Sequence, residues 1–108
     1  MLPADTAPVF AALGDETRLR LVARLGSDGP LSIARLTAGT SLTRQGITRH
    51  LEVLADAGLA RSSRRGRERL WELDRMPLDE ARSYLDDVSR QWDDALARLK
   101  RSVEDSLK

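Results

Sequence analysis

The sequence predicts a mainly α-helical fold in which a helix-turn-helix unit is followed by a small β-hairpin and a long C-terminal helix. Three observations lead to this prediction. Apolar residues recur at helical spacing on both sides of a short turn in the middle of the chain. Two short runs with an alternating pattern then flank the turn sequence Arg-Arg-Gly-Arg at residues 64–67. Finally, a seam of apolar residues spaced by three and four continues to the C-terminus.

The N-terminal part predicts two helices separated by Gly14. The first covers about Thr6–Leu13, capped by Asp5 or Thr6. Asp15 then caps a second helix over residues 16–25. Residues 26–30, Gly-Ser-Asp-Gly-Pro, have the composition of a turn. The buried positions that we expect on the second helix are Leu19, Val22 and Leu25.

The next segment predicts the helix-turn-helix unit itself. A short third helix begins after Ser32 and stops near Gly39, and Thr43 caps a fourth helix over about residues 43–57. Gly58 suits the left-handed position that ends a helix. A short helix, a tight turn and a capped second helix are typical of helix-turn-helix proteins. The buried stripe that we expect on the fourth helix is Ile47, Leu51 and Leu54.

Two short strands come next, at residues 59–63 and 68–73. Trp71 and Leu73 fall on one face of the second strand, which we expect to be buried. A hairpin over about residues 59–73 directly after a helix-turn-helix predicts the winged variety of this fold.

A single helix over about residues 77–107 completes the chain, with Pro77 in its first turn. At ~1.5 Å per residue it would be about 45 Å long and would overhang a body roughly 25 Å across. A continuous apolar stripe on such a helix needs a partner, and the simplest partner is a second copy of the chain. The sequence therefore predicts a homodimer whose interface includes Leu85, Val88, Trp92, Leu96 and Leu99.

Composition indicates one folded domain with a local basic region. The 108 residues are 41% hydrophobic and 32% charged, and we expect a single domain over residues 1–108. Residues 41–75 hold eight basic and five acidic residues, whereas residues 76–108 hold six basic and eight acidic residues. This local excess favours a polyanionic partner, although solvation of a polar surface also accounts for it.

The candidate DNA contacts lie on the fourth helix and on the hairpin. Side chains opposite the buried stripe, near the N-terminal end of a recognition helix, reach base edges in the major groove, where arginine reads guanine and glutamine reads adenine. An arginine-rich hairpin suits a phosphate backbone or a minor groove. For His50, a lone histidine, we expect a structural or phosphate-contact role rather than metal binding. The predicted set is Arg44, Gln45, Thr48, Arg49, His50, Arg64, Arg65 and Arg67.

Three stretches together resemble the ArsR family of winged-helix repressors. Residues 9–25 (VFAALGDETRLRLVARL), 42–59 (LTRQGITRHLEVLADAGL) and 66–73 (GRERLWEL) are similar to the opening, the recognition helix and the wing of that family. The resemblance implies a dimeric repressor that binds an inverted repeat in double-stranded DNA and releases it on a signal. Many members sense metals through cysteines on the third helix or histidines on the last helix.

This sequence departs from the metal-sensing pattern. Residues 31–36 (LSIARL) contain no cysteine, and no histidine lies in the last helix. We therefore expect no metal site and no cofactor, and an inducer, if there is one, would be a small molecule or a protein of unknown identity. Trp92 is interpreted as part of the dimer core, with a ligand pocket as the alternative.

Other functions remain as alternatives at this point. A non-specific architectural DNA-binding protein would need charge and apolar wedges rather than base-reading side chains. A winged helix could also serve only as a protein-interaction module. No phosphate-binding loop or nucleophile motif suggests an enzyme. No signal peptide or membrane span is apparent, so we expect a cytoplasmic protein.

Overall fold

The computed structural model describes residues 6–107 of the chain. The predicted fold class is confirmed: helices dominate, a small antiparallel sheet lies beside the helix-turn-helix, and a long helix ends the chain. The elements are, in chain order, α1 (Thr6–Leu13), α2 (Glu16–Asp28), β1 (Leu31–Ser32), α3 (Ile33–Thr37), α4 (Arg44–Asp56), β2 (Ala60–Arg65), β3 (Glu68–Leu73) and α5 (Arg75–Ser106).

The starts of α2, α3 and α4 follow the capping residues that the sequence indicates, whereas Asp5, a cap expected for α1, lies outside the described residues. Asp15 accepts a hydrogen bond from the backbone N–H of Arg18, and Ser32 accepts one from that of Arg35. The Thr43 hydroxyl does the same for the N–H of Gly46 at 2.9 Å. Each cap satisfies a donor that the first helical turn leaves without a partner, so local chemistry sets these boundaries.

The sheet contains one strand that the sequence analysis missed. The strand order is β1-β3-β2, and β1 pairs antiparallel with β3 through Leu31 and Trp71. A strand of two residues is too short to show an alternating pattern. Residues 31 and 32 precede α3 in extended conformation, and pairing with β3 makes them a strand rather than part of a loop.

The hairpin is longer than expected on its first strand, which runs from Ala60 to Arg65 instead of ending at residue 63. Arg65 pairs with Glu68, which leaves a two-residue turn. Gly66, at the first of these two positions, has a φ of 64°, and this backbone conformation favours glycine there.

The core lies between α4, α2, α3 and the sheet, and the expected stripe of α4 is fully buried in it. The expectation for α2 is confirmed for Leu25, met only in part by the half-buried Val22, and wrong for Leu19. Leu19 is 52% exposed, and the buried residues of that helix are Leu21 and Leu25. Two apolar series overlap in this helix, one formed by residues 19, 22 and 25 and the other by residues 21 and 25. The second series faces the core, where α4 and the sheet cover it.

Helix α5 begins at Arg75, capped by Asp74, two residues earlier than expected. Its first turns pack against α1, where Ala81 is buried and the rings of Phe10 and Tyr84 meet edge to face at 6.0 Å. Beyond this contact α5 projects away from the body, so the molecule measures 74 × 27 × 20 Å. Within residues 6–107, no helix combines the length and the apolar character that a membrane crossing requires.

The buried stripe of α4 predicts that alanine substitutions at two neighbouring positions change the free energy of unfolding by very different amounts. Leu54 is completely buried and Val53 is 37% exposed. We expect Leu54→Ala to lower the free energy of unfolding by about 2–5 kcal/mol, because it leaves a cavity in a packed core. Val53→Ala, the matched control, should change it by less than about 1 kcal/mol. Urea denaturation at one fixed protein concentration measures both; equal losses would contradict the described core.

Candidate nucleic-acid interface

The N-terminal half of α4 presents a polar face away from the core. With Ile47, Leu51 and Leu54 buried, the side chains of Arg44, Gln45 and Arg49 are exposed. These three were expected as base contacts, and the helix brings them together at one end. An arginine or glutamine placed in this way can donate two hydrogen bonds to a base edge.

Thr48 and Gly46 have roles in the helix that the sequence analysis did not anticipate. The Thr48 hydroxyl donates to the carbonyl oxygen of Arg44 at 2.8 Å, so its proton is not available to a phosphate, whereas its methyl group and its oxygen lone pairs are. A Cβ at residue 46 would lie 3.2 Å from Thr43 Oγ1, the oxygen that caps the helix. Glycine at this position therefore keeps the cap uncrowded.

Acidic residues limit how far along α4 a polyanion can lie. Glu52 lies three residues after Arg49, and Asp56 lies four residues after Glu52; both are exposed, so they continue the side of the helix that carries Gln45 and Arg49. Their negative charges would repel phosphate groups. The electrostatics of α4 thus favour an approach by its N-terminal end.

His50 follows Arg49 on α4, and its ring lies against the start of α2. Its Nδ1 is 3.3 Å from Arg18 Nη1 and 3.9 Å from Asp15 Oδ2. The backbone N–H of Arg18 holds the pKa of the Asp15 carboxyl below its ordinary value, and the nearby positive charge of Arg18 acts in the same direction. The sequence analysis missed these two neighbours, since no local pattern connects residues so far apart in the chain.

The arginines of the hairpin differ in whether an acidic side chain pairs with them. Arg61 is held within the wing: its Nε donates to Glu72 at 2.8 Å, and its Nη1 lies 3.7 Å from Asp74. The hydrogen bond with Glu72 raises the pKa of the Arg61 guanidinium. In the part of the chain that the structure describes, no ion pair is formed by Arg64, Arg65, Arg67 or Arg69.

The exposed arginines repel one another across the hairpin. Arg64 stands directly opposite Arg69, and Arg67 occupies the turn. Like charges that face each other across strands destabilise a hairpin unless a counter-charge reduces the repulsion. A phosphate backbone is such a counter-charge, which makes the wing a suitable contact for a nucleic acid.

The stripe on α5 is uncovered in the single chain. Val88 is half-buried, whereas the other expected interface residues are exposed, with Trp92 at 64%. A series of large apolar side chains left open to water on one helix face is typical of a protein interface. The exposed members of the predicted interface set are Leu85, Trp92, Leu96 and Leu99.

Sequence comparison identifies relatives of the whole arrangement. Residues 13–63 match the family model of a helix-turn-helix domain. Over 76 residues the chain is 40% identical to the HTH-type transcriptional regulator YuzN of Bacillus subtilis, which covers 65% of this chain and 83% of that protein. Over 95 residues it is 36% identical to the HTH-type transcriptional regulator Rv2034 of Mycobacterium tuberculosis, which covers 88% and 85% of the two chains.

Structural comparison decides the family. An ArsR-like transcriptional regulator from Rhodococcus sp. RHA1 matches with a TM-score of 0.80 and 34% identity, covering 91% of this chain and 92% of that one. The chain belongs to the ArsR family. It is therefore a DNA-binding transcriptional regulator, and ArsR-family regulators are not enzymes. The resemblance of the three sequence stretches is thereby confirmed.

This ArsR-family chain contains no cysteine. Among residues 6–107, histidine and acidic side chains form no cluster of three or more that could hold a metal ion. Helix α5 carries two pairs of neighbouring aspartates, at residues 86 and 87 and at residues 93 and 94, and all four are exposed to solvent.

Paired and unpaired arginines of the wing should contribute differently to DNA binding. We expect Arg64→Ala to weaken binding to any duplex and to reduce the slope of log K against log salt by about one unit, because one phosphate contact is lost. Arg61→Ala on the same strand should change the slope much less, since Arg61 is already paired. Salt titrations of the two variants by fluorescence anisotropy test this, and an unchanged slope in Arg64→Ala would show that Arg64 makes no phosphate contact.

Proposed function

We propose that this ArsR-family regulator is a homodimeric, sequence-specific repressor that binds an inverted-repeat operator. The observation that carries the proposal is the exposed set Arg44, Gln45 and Arg49 at the N-terminal end of a helix whose opposite face is fixed in the core. A recognition helix presents such residues to the major groove, and a wing of arginines beside it contacts the backbone.

The exposed stripe of α5 supports the homodimer. Leu85, Trp92 and Leu99 lie at spacings of seven, on the same face of a helix that extends beyond its own body. A second copy can cover this stripe symmetrically, and a twofold axis then relates two recognition helices. The half-sites of the operator are accordingly about one helical turn apart, ~34 Å, or a multiple of that distance.

Repression needs only occupancy, because a dimer bound over a promoter excludes the polymerase. Release would then require a signal that changes the angle between the two subunits. The chain lacks the cysteine pair of the metal-sensing members, so we propose a small-molecule or protein inducer rather than a metal.

Binding to two duplexes tests the proposal directly. Fluorescence anisotropy compares the DNA upstream of the gene with a scrambled duplex of the same length, at two salt concentrations. Preference for the native fragment, with a Kd of about 10⁻⁸ to 10⁻¹¹ M, supports a sequence-specific regulator. Equal and steeply salt-dependent binding to both duplexes would favour a non-specific architectural protein instead.

The position of Arg49 predicts a loss of specificity when it is removed. We expect Arg49→Ala to cost about 1–3 kcal/mol on the native fragment and much less on the scrambled duplex, because a bidentate contact to a base is lost. Ala34→Ser, at an exposed position on α3, serves as a control that should bind like the wild type. Equal weakening on both duplexes would show that Arg49 contacts only phosphate.

The stripe of α5 predicts the oligomeric state. We expect the double variant Leu85→Asp, Trp92→Asp to be monomeric and to lose operator binding, because charge cannot be buried in an apolar interface at low cost. Asp94→Lys, on the opposite side of the same helix, should remain dimeric. Sedimentation velocity distinguishes the two states, and a dimeric double variant would mean that the interface lies elsewhere.

A further inference from the structure

The two ring nitrogens of His50 have different surroundings. Nδ1 faces Arg18 Nη1 at 3.3 Å, with Asp15 Oδ2 at 3.9 Å. Nε2 has no hydrogen-bond partner within residues 6–107, yet it is not among the buried polar atoms without partners, so solvent reaches it. The side chain as a whole is 26% exposed. One nitrogen thus has partners inside the protein, whereas the other has none there and is not fully buried.

The contact with Arg18 selects one tautomer of the neutral imidazole. A guanidinium group only donates hydrogen bonds, so a nitrogen that faces it must accept. The ring proton then resides on Nε2. Asp15 favours the opposite tautomer, but its Oδ2 lies farther from Nδ1 and already accepts the backbone N–H of Arg18 at 3.0 Å.

Arg18 itself is held rigidly from the other side. Its Nε donates to the carbonyl oxygen of Ala12 at 2.5 Å, and its Nη2 lies 3.5 Å from that of Ala11. These carbonyls belong to the last turn of α1, which carries no charged side chain and packs against α5. The guanidinium therefore connects the end of α1 to the recognition helix, and its direction toward His50 is fixed.

We propose that Arg18 is a positioning residue for DNA binding, which holds His50 in the tautomer that offers its Nε2–H to a phosphate oxygen. This inference rests on the proposed function of α4 as a recognition helix. A phosphate oxygen only accepts, and a donor aimed at it forms a strong, charge-assisted hydrogen bond. In the opposite tautomer Nε2 would present a lone pair to the phosphate and repel it.

The tautomer can be measured without DNA, because His50 is the single histidine of the chain. The ¹⁵N chemical shifts of its ring, recorded at about pH 8 where an ordinary imidazole is neutral, distinguish the protonated nitrogen from the other. We expect the proton on Nε2 in the wild type and a shift toward Nδ1 in Arg18→Met, where, of the two polar groups described near Nδ1, Asp15 alone remains. Arg20→Met, which removes an exposed guanidinium paired with Glu16, should change nothing.

A wild-type spectrum with the proton mainly on Nδ1 would overturn the inference, whether or not the protein binds an operator. The spectrum thus separates a failure of the inference from a failure of the proposed function.

Binding affinities then test the phosphate contact. We expect Arg18→Met to weaken binding to the upstream duplex about tenfold, the effect of losing one hydrogen bond to a charged group. Arg20→Met should stay within about twofold of the wild type. If the wild type binds neither the upstream nor the scrambled duplex, both the proposed function and the phosphate contact are wrong.

Arg18→Met also loses the hydrogen bonds to α1, so weaker binding could come from altered helix packing rather than from His50. A double-mutant cycle distinguishes these two causes. In His50→Gln, the side-chain amide supplies an N–H near the position of Nε2 and has no tautomer to select. Arg18→Met should cost less than about twofold in that background. An equal tenfold loss in both backgrounds would show that Arg18 acts through helix packing alone, and the inference would be wrong.

Discussion

The burial of one face of α4 is the constraint on which the rest of the structure depends. Ile47, Leu51 and Leu54 are almost completely removed from water, and each contributes roughly 1.5–3 kcal/mol by leaving it. A rotation of the helix about its axis would expose at least one of them. The same packing therefore stabilises the core and determines which side chains face outward, so the direction of Arg49 and Gln45 is a consequence of the core and needs no separate support.

Two other surfaces of the isolated chain are unfavourable as they stand. The wing carries like charges that repel one another, and α5 exposes apolar side chains to water. In the wing, Arg64 and Arg69 face each other, and within the described residues no acidic side chain pairs with either. On α5, Trp92 and Leu96 are open to water. A bound polyanion would reduce the repulsion between the arginines, and a second apolar stripe would cover the exposed side chains of α5. Both features agree with the proposal that the chain binds DNA together with a second copy of itself.

The candidate site was predictable from the sequence to the extent that it depends on helical geometry. Because Ile47, Leu51 and Leu54 lie at spacings of four and three, the exposure of Arg49 on the other side follows from helix periodicity alone. The environment of His50 did not follow, since Arg18 is 32 residues away and only the packing of α2 against α4 brings the two together. The pairing of Arg61 with Glu72 likewise depended on strand register, which fixes residues that face each other across the hairpin.

By itself, the sequence determined the helices, their caps and the arginine-rich turn, because these depend on residues within a few positions of one another: Asp15, Ser32 and Thr43 each begin a helix through a bond to a backbone N–H three residues on. Tertiary structure decided the conformation of short segments and, where two apolar patterns overlap on one helix, which of them is buried. It made residues 31 and 32 a strand by supplying β3 as a neighbour, and it chose Leu21 over Leu19 for the core. These outcomes depend on surfaces contributed by distant parts of the chain, and no local pattern contains them.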